Sequence, residues 1–534
     1  MSLFSAGAAL AMGAAGSGAT EGAARGVALQ AALAERGVAG DAARAHYAAS
    51  AYRDLWIGPD GDDALARELL IALADAETQG LPAAGYPVDR LRAALRAAEN
   101  GDPARVAQAE LALTRAFLTY ARDLSTGVLE PRSVDRDLHL RRPAIDEGRL
   151  LSRVASTRTL APVLASLTPA APTYSRLVAH LAELRATPRD AWGPPAPEGR
   201  ALRPGDVDAR VAAVRARLTA LGDHAPGGIG LANIYDSALE ASVRAFQRRH
   251  GLNEDGVIGM RTIREMNASV DDRIGQVLVN LERLRWTNRA PERRYVDVNQ
   301  ADFTVRLIED GVILFEERVI VGSRRNRTPE FSDEMDHLVF NPTWHVPRSI
   351  AAKEILPRLQ EDPGYLSRQN MRLVSRTGDP APDPAFTDWS LYSASDFPFA
   401  VKQNPGGGNS LGRVKFMFPN NFSIYLHDTP SKRLFAKDAR AFSHGCVRVQ
   451  DPMRLAEALL APQSDDPGAL IARVLASGRE TTIRLETPVP IHLEYRTAWV
   501  DETGRPEYRA DVYGRDARIL AALRAKGVGV GAES

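Results

Sequence analysis

Ile424-Tyr425-Leu426-His427-Asp428-Thr429-Pro430, followed by Ala441-Phe442-Ser443-His444-Gly445-Cys446-Val447-Arg448-Val449, decides the reading of this chain. It contains the only cysteine among 534 residues. Phe422, Ile424 and Leu426 alternate with Ser423, Tyr425 and His427. A strand therefore buries the first set and presents Tyr425 and His427 side by side. Asp428-Thr429-Pro430 ends that strand. Gly445 permits a turn and the close approach of a substrate. Asp451-Pro452 reads as a helix start, Asp as N-cap and Pro at the first helical position. Leu455, Leu459 and Leu460 give that helix its apolar face. The thiol is thus expected on a short segment between a strand and a helix, near a strand-borne histidine. A lone cysteine is ordinarily a small buried hydrophobe. Ser443, His444, Gly445 and Arg448 are poor company for a packed core, and they turn the reading towards a nucleophile.

The rest of the chain sets the bounds. Its length calls for two to four domains. A hydrophobic fraction of 44% and a charged fraction of 25% are those of a globular protein. The formal net charge of +0 gives no support for nucleic acid as a partner. Basic residues are almost all arginine, the first lysine being Lys353. One cysteine rules out an internal disulfide and argues against a Cys-rich zinc site. No run approaches the roughly 18 apolar residues of a membrane span. Leu3 to Ala15 is small and apolar and resembles the core of an export signal, although no basic residue precedes it.

The pattern predicts a multidomain α + β chain. Residues 1–26 read as an export signal or flexible N-terminus, and 27–185 as a helical scaffold. Leu65, Leu69, Ile71 and Leu73 mark one helix there, and Leu113, Phe117, Tyr120 and Leu124 form an amphipathic stripe on another. Asp123, Arg132, Asp135 and Asp137 read as solvated or capping charges. Residues 186–205, rich in Pro, Gly and charge, read as a linker. A three-helix unit follows at 206–270, then a connecting helix at 271–290. From Tyr295 the period changes to two, with Asp310-Gly311 as a hairpin signal. This β-rich domain spans 291–500. Its 350–408 insertion is rich in Pro, Gly and Asp and is expected to be a mobile lid with no packed core of its own. Residues 501–534 form a C-terminal extension, helical over Arg518 to Arg524 and fraying at the end.

A thiol attacks as thiolate, which a neighbouring histidine can supply near neutral pH. His427 is the candidate base. His444 competes, because residues i and i+2 of an extended segment project to one side. The N–H groups of Gly445 and Cys446, with the Tyr425 hydroxyl, are candidates for stabilising an oxyanion. Arg448 suits a substrate carboxylate held in a bidentate way, or an internal ion pair. Trp344 lines a substrate groove or fills a core, and Ser410, Arg413 and Lys415 are further candidates for the groove. His337 and His345 read as structural.

Ser443-His444-Gly445-Cys446-Val447-Arg448, with His427 upstream, resembles the signature of the YkuD-type L,D-transpeptidases. Val321-Gly322, Thr328-Pro329, Asn341-Pro342-Thr343-Trp344, Asp362-Pro363-Gly364-Tyr365 and Asn409-Ser410-Leu411-Gly412 are similar to the large multidomain branch of that family. Phe246-Gln247, Gly251-Leu252, Asp255-Gly256-Val257-Ile258-Gly259 and Thr262 resemble a peptidoglycan-binding module; a plain helical spacer is the other reading. The resemblance implies catalytic Cys446 and His427, with Gly445, Tyr425, His444, Ser443 and Asp428 in supporting or oxyanion roles. It also implies Arg448 and Trp344 as substrate-binding residues. The histidine is expected to be oriented by the Asp428 carbonyl, with the Asp428 carboxylate as rival. The implied reaction is a 3→3 peptidoglycan crosslink through a Cys446 thioester, or hydrolysis of the same stems by an L,D-carboxypeptidase. A non-catalytic wall-binding protein is the reading outside enzymes. No metal or cofactor is implied. The expected partners are peptidoglycan stem peptides and other wall-synthesis enzymes, in the periplasm, with roles in cell shape. Carbapenems are expected to acylate Cys446.

Overall fold

Alternation from Tyr295 onward builds a closed barrel. In the computed structural model, which describes residues 7–35, 40–58, 62–223, 232–290, 292–375 and 381–529 (backbone only for 7–20), four strands lead. They are β1 (Arg294–Asn299), β2 (Thr304–Glu309), β3 (Val312–Gly322) and β4 (Phe331–Phe340). The insertion contributes β5 (Trp344–His345), β6 (Met371–Val374) and β7 (Ala400–Gln403) as a separate small sheet. Then come β8 (Val414–Met417), β9 (Leu426–His427), β10 (Ala441–Ser443), β11 (Val447–Val449) and β12 (Thr481–Glu494). The order β3-β11-β9-β8-β4-β12-β1-β2 closes because β2 pairs back onto β3. Closure leaves no free edge among these strands. Val296, Val305, Leu338, Phe416, Leu426 and Val447 fill the interior, sealed by the helix Pro452–Leu460 through Leu455 and Leu459. Asp451 caps that helix as its sequence predicts, accepting from Arg454 N.

The insertion departs from its expectation. Residues 346–401 hold a hydrophobic cluster of their own, with Ile355, Leu359, Leu366, Trp389, Phe397 and Val401 buried. Pro363 and Gly364 turn the chain between these anchors and Pro357 lies in the first turn of a helix, so composition concealed a core that the spacing of large apolar side chains supports.

The N-terminal domain is helical, as its periodicity predicts. Helix Pro103–Thr126 is its axis and buries Leu113, Phe117, Tyr120 and Leu124. Leu65, Leu69 and Leu73 are buried on a second helix, whereas Ile71 is 64% exposed. The 26/27 boundary falls inside a helix, Gly7–Ala34, whose Leu29 and Leu33 join this core. Residues 1–6, part of the signal-like stretch, and 530–534, the predicted frayed end, lie outside the described residues. No helix among the described residues is long and apolar enough to cross a membrane.

The domains join through packed elements, and the readings of the linker and of two aspartates are corrected. The expected linker is docked, with Ala196 and Leu202 buried in the core of the three-helix unit Arg210–Ala220, Ser237–Arg249 and Met260–Met266. The connecting helix is a pillar: Val270–Trp286 buries Ile274, Leu278 and Leu281 against the helices Pro172–Ala186 and Arg515–Ala525. Asp135 and Asp123 are not solvated charges. Asp123 accepts from the Tyr86 hydroxyl at 2.8 Å. Asp135 is buried and meets Arg327 and Arg518, while Asp137 pairs with Arg327 at 2.7 Å. His139 N and Glu330 O (2.8 Å), with Glu330 N and Asp137 O (2.9 Å), stitch the scaffold to the segment before β4.

Candidate active site

The site is built on one parallel strand pair. β9 and β11 run together with Leu426 opposite Val447 and His427 opposite Arg448. Side chains alternate along each strand, so Tyr425 and His427 share a face with Cys446 and Arg448. Leu426 and Val447 point the other way, into the barrel. All four polar residues line a cleft of about 1120 Å³ between the barrel and the insertion. The insertion supplies its far wall with Lys353, Glu354 and Tyr365. The first two ride on a π-helical turn, Ala351–Ile355.

His427 is buried, and its Nδ1 lies 2.5 Å from the Asp428 carbonyl oxygen. A carbonyl only accepts, so Nδ1 carries the proton and Nε2 keeps its lone pair. The Asp428 carboxylate is engaged elsewhere, with Lys432 at 2.7 Å and Arg413 N at 2.9 Å. The carbonyl, not the carboxylate, therefore orients the ring. Burial, then the Arg448 charge, push the His427 pKa down to about 3. The imidazole is neutral and able to accept a proton.

Cys446 is half-buried, and its Sγ sits 3.6 Å from Ser423 O. Burial raises its pKa, while the Tyr425 amide and hydroxyl, and then Arg448, oppose that. Both shifts favour a neutral thiol beside a neutral imidazole at rest. A preformed thiolate, the expectation from neighbouring residue types, is not what this environment stabilises.

The loop that carries the thiol is held by hydroxyls. Gly445 has φ +123°, and a Cβ there would lie 3.1 Å from Ile424 Cδ1. Ser443 Oγ accepts from Gly445 N at 3.1 Å and donates to Cys446 O at 2.5 Å. The Gly445 N–H is thus occupied, and of the two expected oxyanion donors only the Cys446 N–H has no partner among the described residues.

His444 lines the same cleft as the thiol. It is exposed, and its Nε2 meets Glu354 of the insertion at 2.7 Å. The arrangement makes it a contact between the Cys446 loop and the insertion. Among the described residues Arg448 has no ion-pair partner, and its Nε is buried without a hydrogen-bond partner. Trp344 is half-buried, packs on the insertion's core and lines the cleft. Ser410 and His345 line the cleft as well. Lys415 lies 6.0 Å over the Tyr425 ring. The residues of the far wall were missed, because nothing in sequence brings position 354 to position 444. Among the described residues no group of three or more His, Cys, Asp or Glu could hold a metal ion.

One strand face of a closed β-barrel thus presents a cysteine, a neutral histidine and an arginine to a single cleft. Residues 293–491 match the L,D-transpeptidase catalytic domain of the YkuD family, 207–266 a peptidoglycan binding domain and 41–181 a scaffold domain. The chain thus carries an L,D-transpeptidase catalytic domain joined to a peptidoglycan-binding domain. It is 36% identical over 225 residues to a Haemophilus influenzae protein that bears the name L,D-transpeptidase. That match covers 42% of this chain and 44% of the relative, less than half of either. It is also 42% identical over 76 residues to the N-acetylmuramoyl-L-alanine amidase CwlM of Mycobacterium tuberculosis, covering 13% of this chain and 19% of that protein. Among solved structures, an L,D-transpeptidase from Stackebrandtia nassauensis aligns at 14% identity and TM-score 0.21, over 57% of this chain and 98% of its own. One from Mycobacterium smegmatis aligns at 12% and 0.18, over 38% and 58%.

Proposed function

We propose that the protein is an L,D-transpeptidase that forms 3→3 peptidoglycan crosslinks through a thioester on Cys446. The observation that carries this is the shared face of β9 and β11, where Cys446, His427, Tyr425 and the unpaired Arg448 meet one cleft. His427 Nε2 takes the thiol proton as sulfur attacks the carbonyl of the third residue of a tetrapeptide stem. The carbonyl electrons move to oxygen, which the Cys446 N–H and the Tyr425 hydroxyl stabilise. Collapse breaks the C–N bond, and the proton from His427 leaves with the terminal D-alanine amine. The side-chain amine of a second stem then attacks the thioester, giving up its proton to His427. The C–S bond breaks and the proton returns to sulfur. Arg448 holds a stem carboxylate in this scheme, since a guanidinium lacking an internal partner is free to form the bidentate pair.

Intact mass after incubation with a carbapenem tests the nucleophile. One adduct is expected on the native protein and none on a folded Cys446→Ala variant; an adduct retained by the variant overturns the assignment. Incubation with disaccharide tetrapeptide separates the acceptors. Crosslinked dimer with released D-alanine supports transpeptidation, and tripeptide alone makes the enzyme a carboxypeptidase. A peptidoglycan substrate places the protein outside the cytoplasmic membrane, in the periplasm. Cell fractionation finding it only in the cytoplasm would remove the basis for that substrate.

A further inference from the structure

We infer that Thr328 is a positioning residue that aims the oxyanion donor of this site; the inference rests on the acyl-transfer reading above. Thr328 is fully buried at the turn between β3 and β4. Its Oγ1 donates to Gly445 O at 2.6 Å and accepts from Gly322 N at 2.9 Å. The hydroxyl hydrogen is therefore committed to the Gly445 carbonyl.

Gly445 C=O and Cys446 N–H belong to one planar trans peptide, so they point in opposite directions. Fixing the oxygen fixes the N–H. The backbone groups of Gly445 and Cys446 account for themselves: Gly445 N–H and Cys446 C=O go to Ser443 Oγ, and Gly445 C=O goes to Thr328. The fourth, Cys446 N–H, has no partner among the described residues. Glycine at 445 removes the side chain that would otherwise restrict this peptide, so its orientation depends on these hydrogen bonds.

Thr328 is itself anchored. Its carbonyl accepts from Arg515 at 2.9 Å, and the Tyr513 hydroxyl donates to Gly322 O at 2.7 Å. Gly322 must be glycine for this closure, because a Cβ there would lie 2.1 Å from Asn326 O and 2.7 Å from Thr328 N. The turn that carries the hydroxyl is thus tied to β3 and to the C-terminal helix.

The test uses two reactions of the same sulfur. Acylation by a carbapenem develops an oxyanion; alkylation by iodoacetamide does not. Native protein is measured first, and failure to acylate there counts against the acyl-transfer reading itself. Given native acylation, Thr328→Val keeps the shape and loses the hydroxyl. Its acylation rate is expected to fall roughly 10- to 100-fold, below the cost of deleting an oxyanion donor outright. Its alkylation rate per folded thiol is expected to stay within about twofold, since misaiming an N–H does not touch the sulfur. Thr328→Ser, which retains the donor, is expected to restore acylation. Thr328→Ala replaces the valine variant where that variant does not fold. Equal losses in both reactions, no loss in either, or a failure of both hydroxyl-free variants to fold overturns the proposal.

Discussion

His427 and Cys446 are both held in their uncharged forms, and this shapes the pH behaviour expected of the site. Burial and Arg448 push the imidazole down to about 3, while burial raises the thiol. Alkylation by iodoacetamide is therefore expected to climb through and beyond the ordinary thiol range near about pH 8.5. A rate already at plateau near neutral pH would show a preformed thiolate and contradict this environment. The base role is tested by His427→Ala, expected to lose roughly 10²–10⁴ in carbapenem acylation, with His444→Ala close to native. Reversal of that order would exchange their roles. Stability follows the same shift. His427 takes a proton in the unfolded chain near its ordinary 6.5 and in the fold only near 3. Its contribution is complete above 6.5 and is lost as pH falls towards 3. A His427→Asn variant should lose less thermal stability than the native protein between about pH 7 and 4, and an unchanged acid slope would refute this.

The insertion matters as an element because it is a folded body and not a length of loose chain. Trp389 is 3% exposed and packs edge-on to Phe399 with ring centroids 6.1 Å apart. Trp389→Ala is expected to destabilise this body by about 3–5 kcal/mol, the usual cost of emptying a large aromatic site. Hydrogen exchange would then quicken in 350–408 while β4 and β12 keep their protection. Equal protection of the insertion in variant and native protein would deny it a core. A body with its own core meets the Cys446 loop at a small number of junctions. The His444–Glu354 contact is such a junction.

Across the whole molecule, the scaffold is joined to the barrel by charge as well as by backbone pairing. Asp135 is buried among Arg327, Arg515 and Arg518. Burial alone would raise its pKa, but the Asp137 amide and these three arginines hold it below the usual carboxylate value. Asp135→Ala removes the shared acceptor while Arg327 keeps Asp137 and Arg515 keeps Glu330, and should cost about 1.5–3 kcal/mol, the range for a hydrogen bond to a charged group. Thermal unfolding would report the drop in Tm, little altered by salt because Asp135 and Arg515 are buried. A change within the small range of surface ion pairs would show that the node is solvated.

The sequence by itself determined the strand carrying Tyr425 and His427, the capped helix at Asp451, the helical stripe of Leu113 to Leu124 and the three-helix unit. Each of these is a local pattern, in which neighbours in the chain are neighbours in space. It also singled out Cys446, because residue types alone make that loop unsuited to a core. What it left open required partners distant in the chain. Whether the Asp428 carbonyl or carboxylate holds His427 depended on where Lys432 and Arg413 lie. His444 became a contact to the insertion only because the fold brings Glu354 to it. Asp135 read as a surface charge until Arg327, Arg515 and Arg518 converged on it, and Thr328 had no role until β3 placed it against Gly445. Side-chain type and spacing fix local backbone and burial, but a hydrogen bond between remote residues exists only once the barrel has closed.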